Sequence, residues 1–504
     1  ARQAAFRQIG PQRFRRRSVH HPPDMQPLDD IHAELLGTLK RYWGYDSFRP
    51  VQEEIIRSVC QGRDTLALMP TGGGKSLTYQ VPTMLREGLC IVVTPLIALM
   101  KDQVDRLRRL GINAAAIHSG LSMRQIDIVL DNCVYGDVKF LYVAPERLVT
   151  EAFRLRVERM RVSLLAVDEA HCISQWGYDF RPSYLRIAEL RERRPEVPVL
   201  ALTASATPAV ARDIMRQLRF AEPHVLRSSF ARPNLSYAVR HDEDKNEQLL
   251  RVVRNVAGSG IVYVRTRDGC EQLTEFLRDA GVAATCYHGG LANAERSIRQ
   301  EEWLAGRTRI MVATNAFGMG IDKSDVRYVI HYNMPKDMES YYQEAGRAGR
   351  DGAPSSCILL YSGQDVRTNE FLITHSEPRE DLDPRTAEQL RERDLQRLRQ
   401  MTGYCRTRRC LRQYILHYFG EHAPDTCSAC YNCLHNFEEV DVSRDAKAIV
   451  ACIAKTGQHF GVGVIAETLC QRESPQHRRR SPRPSGHAFS MRLSAPSELK
   501  CQRR

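Results

Sequence analysis

Short apolar runs punctuate the chain up to about residue 360, each four to six residues long and rich in Val, Ile and Leu. "TLALMP", "CIVVTP", "FLYVAP", "LLAVDE" and "VLALTA" lie before residue 205, and "GIVYV", "ATCYH", "RIMVAT", "YVIHYN" and "CILLYS" follow. Runs that are continuous rather than alternating suit strands buried on both faces, as in parallel sheets. Between them, segments such as Leu99–Leu110 and Cys270–Ala280 carry helical spacing. The alternation predicts βαβ units and two tandem doubly wound α/β domains, 25–228 and 229–375, with a boundary near "SSFARPNLSY".

From about residue 380 the strand pattern stops. Region 376–437 reads as a charged helix, then a more apolar one, then "CSACYNC"; a further helical piece, "DAKAIVACIAKT", falls within 438–470. Residues 471–504 are Arg-, Ser- and Pro-rich without apolar period and are expected to be disordered. The first 24 residues are Arg-rich and acid-poor, either an organellar transit segment or an unstructured start; Pro22 and Pro23 break any helix there and favour the latter.

The net charge of +13 belongs mostly to the ends. Residues 1–24 carry six Arg against one Asp, residues 471–504 nine basic against two acidic residues, and the body is left near +1. Charge alone therefore names no partner, and any nucleic-acid argument must come from local sites. Fifteen cysteines, mostly single within apolar runs, point to a reducing, intracellular compartment. No run approaches the length of a membrane span.

Ligands of open parallel sheets bind at the carboxyl ends of the strands, so the residues that end these runs matter most. "LALMPTGGGKSLTYQVP" is a strand, a glycine-rich loop and a helix start. Backbone N–H groups of Thr71, Gly72, Gly73 and Gly74 can converge on phosphates, Lys75 can reach the terminal ones, and Ser76 can hold Mg²⁺. Met69 stands where the general phosphate-loop pattern has Gly. "LLAVDEAH" delivers Asp168 for Mg²⁺ and Glu169 to orient or deprotonate water. In the second half, "YYQEAGRAGRDG" offers Arg347 and Arg350 to the charge that spreads on a γ-phosphate during transfer. Together they describe an ATP-hydrolysing cleft between two halves. "CSACYNC" adds Cys427, Cys430 and Cys433, with Cys410 or Cys405 upstream as a fourth thiolate for structural Zn²⁺; an iron–sulfur cluster is the competing chemistry.

These motifs, in this order, resemble the RecQ family of DNA helicases within helicase superfamily 2, over nearly four-fifths of the chain, Leu39 to Leu434. The resemblance implies two RecA-like domains, then a helical zinc-binding domain and a winged helix. It implies that Tyr45 and Arg49 sandwich adenine, that Gln52 bonds its edge, and that His171 and Gln343 link the nucleotide and DNA sites. "TPLIALMKDQV" and "YVAPERL" resemble strand-contacting motifs, and "ATNAFGMGIDKSDVRYVIH" one that touches both DNA and nucleotide; "ALTASA" has Ser205 where many members have Thr. In "AHCISQWGYDFRP", Trp176 and Phe180 become candidates to stack on bases and Arg181 to hold a phosphate; a hydrophobic anchor for the loop is the rival account. Cys410 is preferred over Cys405 because it keeps the family's distance to "YFGE".

The resemblance implies an ATP-dependent, zinc-containing helicase that tracks 3′ to 5′ on single-stranded DNA and opens tailed duplexes, a monomer of the bacterial cytoplasm associated with the nucleoid. Single-strand-binding and recombination proteins are its implied partners, and repair, recombination and the SOS response its implied setting. An RNA helicase and a non-catalytic zinc-containing DNA-binding protein are the competing functions. "SRDAKAIVACIAKTGQHFGVGVIAETL" resembles the opening of the winged helix, whereas "CQRESPQHRRRSPRPSGHAFS" does not continue it. An incomplete winged helix with weakened duplex opening is the resulting expectation, the basic tail partly substituting through phosphate contacts.

Overall fold

The computed structural model describes residues 28–241, 244–318, 323–376, 383–435 and 441–470. Expectations for residues 1–24 and 471–504, and part of "ATNAFGMGIDKSDVRYVIH", lie outside them. The chain divides into two compact units, 1–436 and 437–504.

The first unit carries two parallel sheets. One has seven strands, β1 Thr65–Leu68, β2 Leu89–Val93, β3 Ala114–Ile117, β4 Phe140–Val143, β5 Val162–Val167, β6 Val199–Thr203 and β7 Val225–Arg227, in the order β3-β4-β2-β5-β6-β1-β7. The other has six, β8 Leu235–Arg240, β9 Ser259–Tyr263, β10 Ala284–Tyr287, β11 Ile310–Ala313, β12 Val326–His331 and β13 Ser355–Leu360, in the order β10-β11-β9-β12-β13-β8. The central strands β1, β2, β4 and β6 are buried at every position, as their unbroken apolar sequences require. Edge strand β8 instead alternates buried and half-buried positions.

After β13 a helix at Gly363–Thr374 leads to a 23-residue helix, Pro384–Arg406, whose first turn is capped by Asp383 and opened by Pro384. A shorter helix, Leu411–Tyr418, and the turn Tyr431–Leu434 complete a small helical module. One apolar core is continuous through both sheets and this module, from Leu66 to Phe419. Aromatic pairs join the parts: Phe230 stacks on Phe419 at 4.6 Å, and the hydroxyls of Tyr404 and Tyr341 meet at 3.1 Å. The helix Met338–Ala345 of the second sheet is therefore seated against the helical module through Tyr341 and Tyr342. The second unit shows two helices, Ser443–Lys455 and Val462–Cys470, with Ile465 buried.

Candidate nucleotide site, aromatic loop and metal centre

Strand β1 sits between β6 and β7 and ends in the glycine loop. Met69, at the position of the missing glycine, is buried in the core beneath the loop, which accounts for the departure from the general pattern. Gly74 has φ +75°, and a Cβ there would fall 2.3 Å from Gln52 Nε2. That close approach has a purpose: Gln52, buried, donates from Nε2 to the carbonyls of Gly73 (3.0 Å) and Gly74 (3.3 Å). Arg49 Nη1 donates to Gly72 O at 2.9 Å, while its own N–H donates to Gln52 Oε1. Arg49 and Gln52 thus fix three of the loop's carbonyls, while the Gly73 N–H donates within the loop to Pro70 O at 3.0 Å. Tyr45 is half exposed at the rim, and Ser76 immediately precedes the helix Leu77–Leu85, its side chain making no cap hydrogen bond.

Strand β5 lies two strands from β1, across β6, and carries Asp168 and Glu169 at its carboxyl end. Glu169 adopts the left-handed conformation, φ 47° and ψ 45°, a cost of roughly 1–3 kcal/mol for a non-glycine residue. Its N–H donates to Asp168 Oδ1 (3.0 Å), and its carboxylate turns toward Lys75 Nζ (3.8 Å) and His171 Nδ1 (3.3 Å). Burial opposes ionisation of both acids. At Glu169 the Lys75 ammonium, then His171 and Arg347, outweigh it and hold the carboxyl down to about 2. Asp168 is pushed up to about 6, by burial first and by Glu169's charge second. His171 is buried, stacks on Tyr178 at 4.6 Å and shares a 2.9 Å hydrogen bond with Thr203 at the end of β6.

The second sheet closes the site. Gln343 Nε2 donates to Ser205 Oγ at 2.9 Å, and Thr71 Oγ1 donates to Gly346 O at 3.3 Å. Arg347 is buried, and Arg350 packs against Gly72, where an added Cβ would stand 3.3 Å from its Cγ. Both line a cavity of about 420 Å³ with Lys75, Asp168 and Glu169, and Tyr45, Arg49 and Gln52 line its outer end. Sequence reasoning missed Arg232, whose guanidinium donates to the carbonyls of Gly346, Ala348 and Gly349 and fixes the arginine-bearing turn. Its position in "SSFARPNLSY" marked only a boundary.

The aromatic loop divides its residues. Trp176 is 48% exposed, whereas Phe180 is 4% exposed. Phe180 is therefore seated as the hydrophobic anchor, and Trp176 alone of the two presents its ring. Arg181 is paired with Asp179 at 2.9 Å. A contact that the sequence did not suggest comes from the helix Pro384–Arg406. Arg393 lies over the Trp176 ring, 3.9 Å from its centroid, and Arg397 donates to the carbonyls of Trp176 (2.7 Å) and Gly177 (2.9 Å).

The sulfurs of Cys410, Cys427, Cys430 and Cys433 all lie within 4.8 Å of one another. Sulfur–sulfur separations of 3.4, 3.9 and 4.0 Å bracket the ~3.8 Å expected of a tetrahedron with metal–sulfur bonds of about 2.3 Å. Each sulfur accepts a backbone N–H: Gln413 to Cys410, Cys430 to Cys427, Leu411 to Cys430 and Cys427 to Cys433. Burial opposes the Cys427 thiolate, whereas the N–H groups of Ala429 and Cys430 favour it. Such a donor set fits Zn²⁺. Cys405 is buried in the long helix and is not part of the cluster.

A cleft between two parallel sheets, with a phosphate loop and acids on one side and arginines on the other, defines a nucleotide-hydrolysing enzyme. Family models agree in chain order: DEAD/DEAH box helicase over residues 49–214, helicase conserved C-terminal domain over 244–352, RecQ zinc-binding over 363–434 and RQC domain over 436–481. The ATP-dependent DNA helicase RecQ of Bacillus subtilis is 46% identical over 434 residues, covering 86% of this chain and 72% of the relative. Its namesake in Pasteurella multocida is 40% identical over 441 residues, 87% of this chain and 68% of the relative. Among solved structures, the DUF1998 helicase MrfA bound to DNA aligns with a TM-score of 0.56 at 17% identity, covering 72% of this chain and 54% of that one, a likeness of fold. The chain belongs to the RecQ family of ATP-dependent DNA helicases. It is an ATP-hydrolysing enzyme, and its four-cysteine cluster fits the family's zinc.

Proposed function

We propose that this enzyme translocates 3′ to 5′ along single-stranded DNA and separates duplex ahead of it, in DNA repair and recombination. The observation that carries the proposal is the cavity in which Lys75 and Glu169 of the first sheet face Arg347 and Arg350 of the second. Phosphates would rest on the N–H groups of Thr71–Gly74 and on Lys75, with adenine between Tyr45 and Arg49. Gln52, already bonded to the loop, is the group at adenine's edge. Mg²⁺ would be held by Ser76 and Asp168, where it would neutralise phosphate charge. Glu169, ionised and aimed by its strained backbone, orients the attacking water or takes its proton; Arg347 and Arg350 meet the charge that develops on the transferred group.

Motion follows from geometry. The bonds Gln343–Ser205 and Thr71–Gly346 bridge the two sheets beside the cavity, so a change of charge there alters how the sheets close. His171 connects Glu169 to the aromatic loop through Tyr178, and Trp176 offers a sequence-tolerant stacking surface, worth about 1–3 kcal/mol per base. Duplexes with a 3′ or a 5′ single-stranded tail, and a matched 3′-tailed RNA, test the reading. Opening of the 3′-tailed DNA alone is expected. Preference for the 5′ tail or for RNA would overturn it.

A further inference from the structure

Helix Pro384–Arg406 belongs to the zinc-bearing module, yet its Arg393 and Arg397 make their contacts on the first sheet's aromatic loop. We propose that Arg393 and Arg397 are positioning residues that hold this loop in a closed seat, so that a DNA base reaches the covered face of Trp176 only by displacing the Arg393 guanidinium. The inference rests on the reading of Trp176 as a base platform.

Four observations carry it. The Arg393 guanidinium covers one ring face at 3.9 Å, the separation of a stacked pair and the place a base would occupy. Arg393 Nη1 also donates to Gln175 O at 3.0 Å, so the same side chain grips the loop's backbone. Arg397, 8% exposed, fixes the next two carbonyls, and is itself held by Asp394 at 2.6 Å and lies in the field of the buried Glu339 carboxyl. Glu339 is on the helix Met338–Ala345 that also carries Gln343 and leads to Arg347. The loop's opposite side is tied down by Ser174 Oγ, which accepts the Trp176 N–H (3.1 Å) and donates to Asp213 (2.6 Å).

This arrangement makes the long helix a reporter. It touches the loop that meets DNA through Arg393 and Arg397 and, through Tyr404 on Tyr341, the helix that leads to Arg347. While Arg393 occupies the ring face, the loop stays in its seat; a stacking base substitutes one π partner for another and frees the Gln175 carbonyl. The seat thus sets a threshold for DNA, and its removal should lower that threshold.

The test uses the full chain with its zinc. Arg393→Ala, Arg393→Lys, Trp176→Ala and the Arg393→Ala/Trp176→Ala double variant are compared for ATP hydrolysis without DNA and for the oligothymidylate concentration that gives half-maximal stimulation. Loss of one cation–π contact predicts a three- to ten-fold lower half-maximal concentration for Arg393→Ala, and a rise in DNA-free hydrolysis. Arg393→Lys should return most of the threshold, and the double variant should behave as Trp176→Ala. Trp176 emission, isolated as the difference from Trp176→Phe, should change on DNA binding in the wild type and already be shifted in Arg393→Ala. If Trp176→Ala uncouples hydrolysis from DNA while Arg393→Ala matches wild type, the seat is refuted and the platform stands. A higher half-maximal concentration in Arg393→Ala would make Arg393 a DNA contact and also refute it. If Trp176→Ala leaves stimulation unchanged, the platform fails and the inference with it.

Discussion

Replacing Asp168 with Asn should silence hydrolysis while making the protein more resistant to heat at neutral pH. Asp168 is raised from 3.8 to about 6, because burial and the neighbouring Glu169 disfavour its charge. A carboxyl whose folded pKa is raised binds its proton more tightly in the folded chain. The stability from that proton is fully present below pH 3.8 and is lost as pH rises through about 6. At pH 7.5 the folded wild type therefore carries the whole penalty, about two pK units, or roughly 2–3 kcal/mol at 1.36 kcal/mol per unit. Asn removes the charge and keeps an oxygen to accept the Glu169 N–H, bonded at 3.0 Å to Asp168 Oδ1. For a domain of the first sheet's size, a gain of ~2–3 kcal/mol raises the melting temperature by about 5–10 °C. Nucleotide-free melts of both proteins at pH 7.5 and pH 5 provide the assay. The variant should melt higher at pH 7.5, and the gap should close as the wild-type carboxyl takes its proton. Equal melting at pH 7.5, or a gap that widens on acidification, would refute the reasoning.

Gln52→Ala removes two hydrogen bonds to the phosphate loop and should raise KM for ATP by about tenfold, with zinc content unchanged; an unaltered KM would separate Gln52 from the nucleotide. Cys410→Ser should lower bound zinc measured by metal analysis and destabilise the helical module, whereas Cys405→Ser should leave one zinc per chain; iron with a visible charge-transfer band would sink the zinc assignment. Deleting residues 471–504 should flatten the dependence of single-strand affinity on salt, since nine basic residues leave; an unchanged slope would remove the tail from DNA binding.

The catalytic half of the architecture was legible in the sequence because its strands are continuous apolar runs that end on the residues that do chemistry. Asp168 and Glu169 stand at the end of β5 and the glycine loop follows β1, as the runs "LLAVDE" and "TLALMP" predicted. Three strands escaped. β3 is "AAAI", without the branched residues that mark a strand; β7 is three residues at a half-exposed edge; and β8 alternates burial along the other edge. The aromatic loop was legible as an anomaly of composition, but its period could not say which ring turns inward. Packing places Phe180 in the interior and leaves Trp176 outside. Arg232, Arg393 and Arg397 were invisible for another reason: an arginine in a charged segment has the same local pattern whether it meets water or a carbonyl 2.7 Å away. The carbonyls they bond lie more than a hundred residues distant, and only the fold brings them together.

The central claim is that hydrolysis is completed by a charge from the second sheet, and Arg347→Ala tests it most directly. ATP binding and DNA-stimulated hydrolysis should be measured together on this variant and the wild type. The expected result is near wild-type binding of a fluorescent ATP analogue with DNA-stimulated turnover reduced by at least a hundredfold. Turnover equal to wild type would contradict it, because the cleft would then hydrolyse ATP without the arginine that closes it.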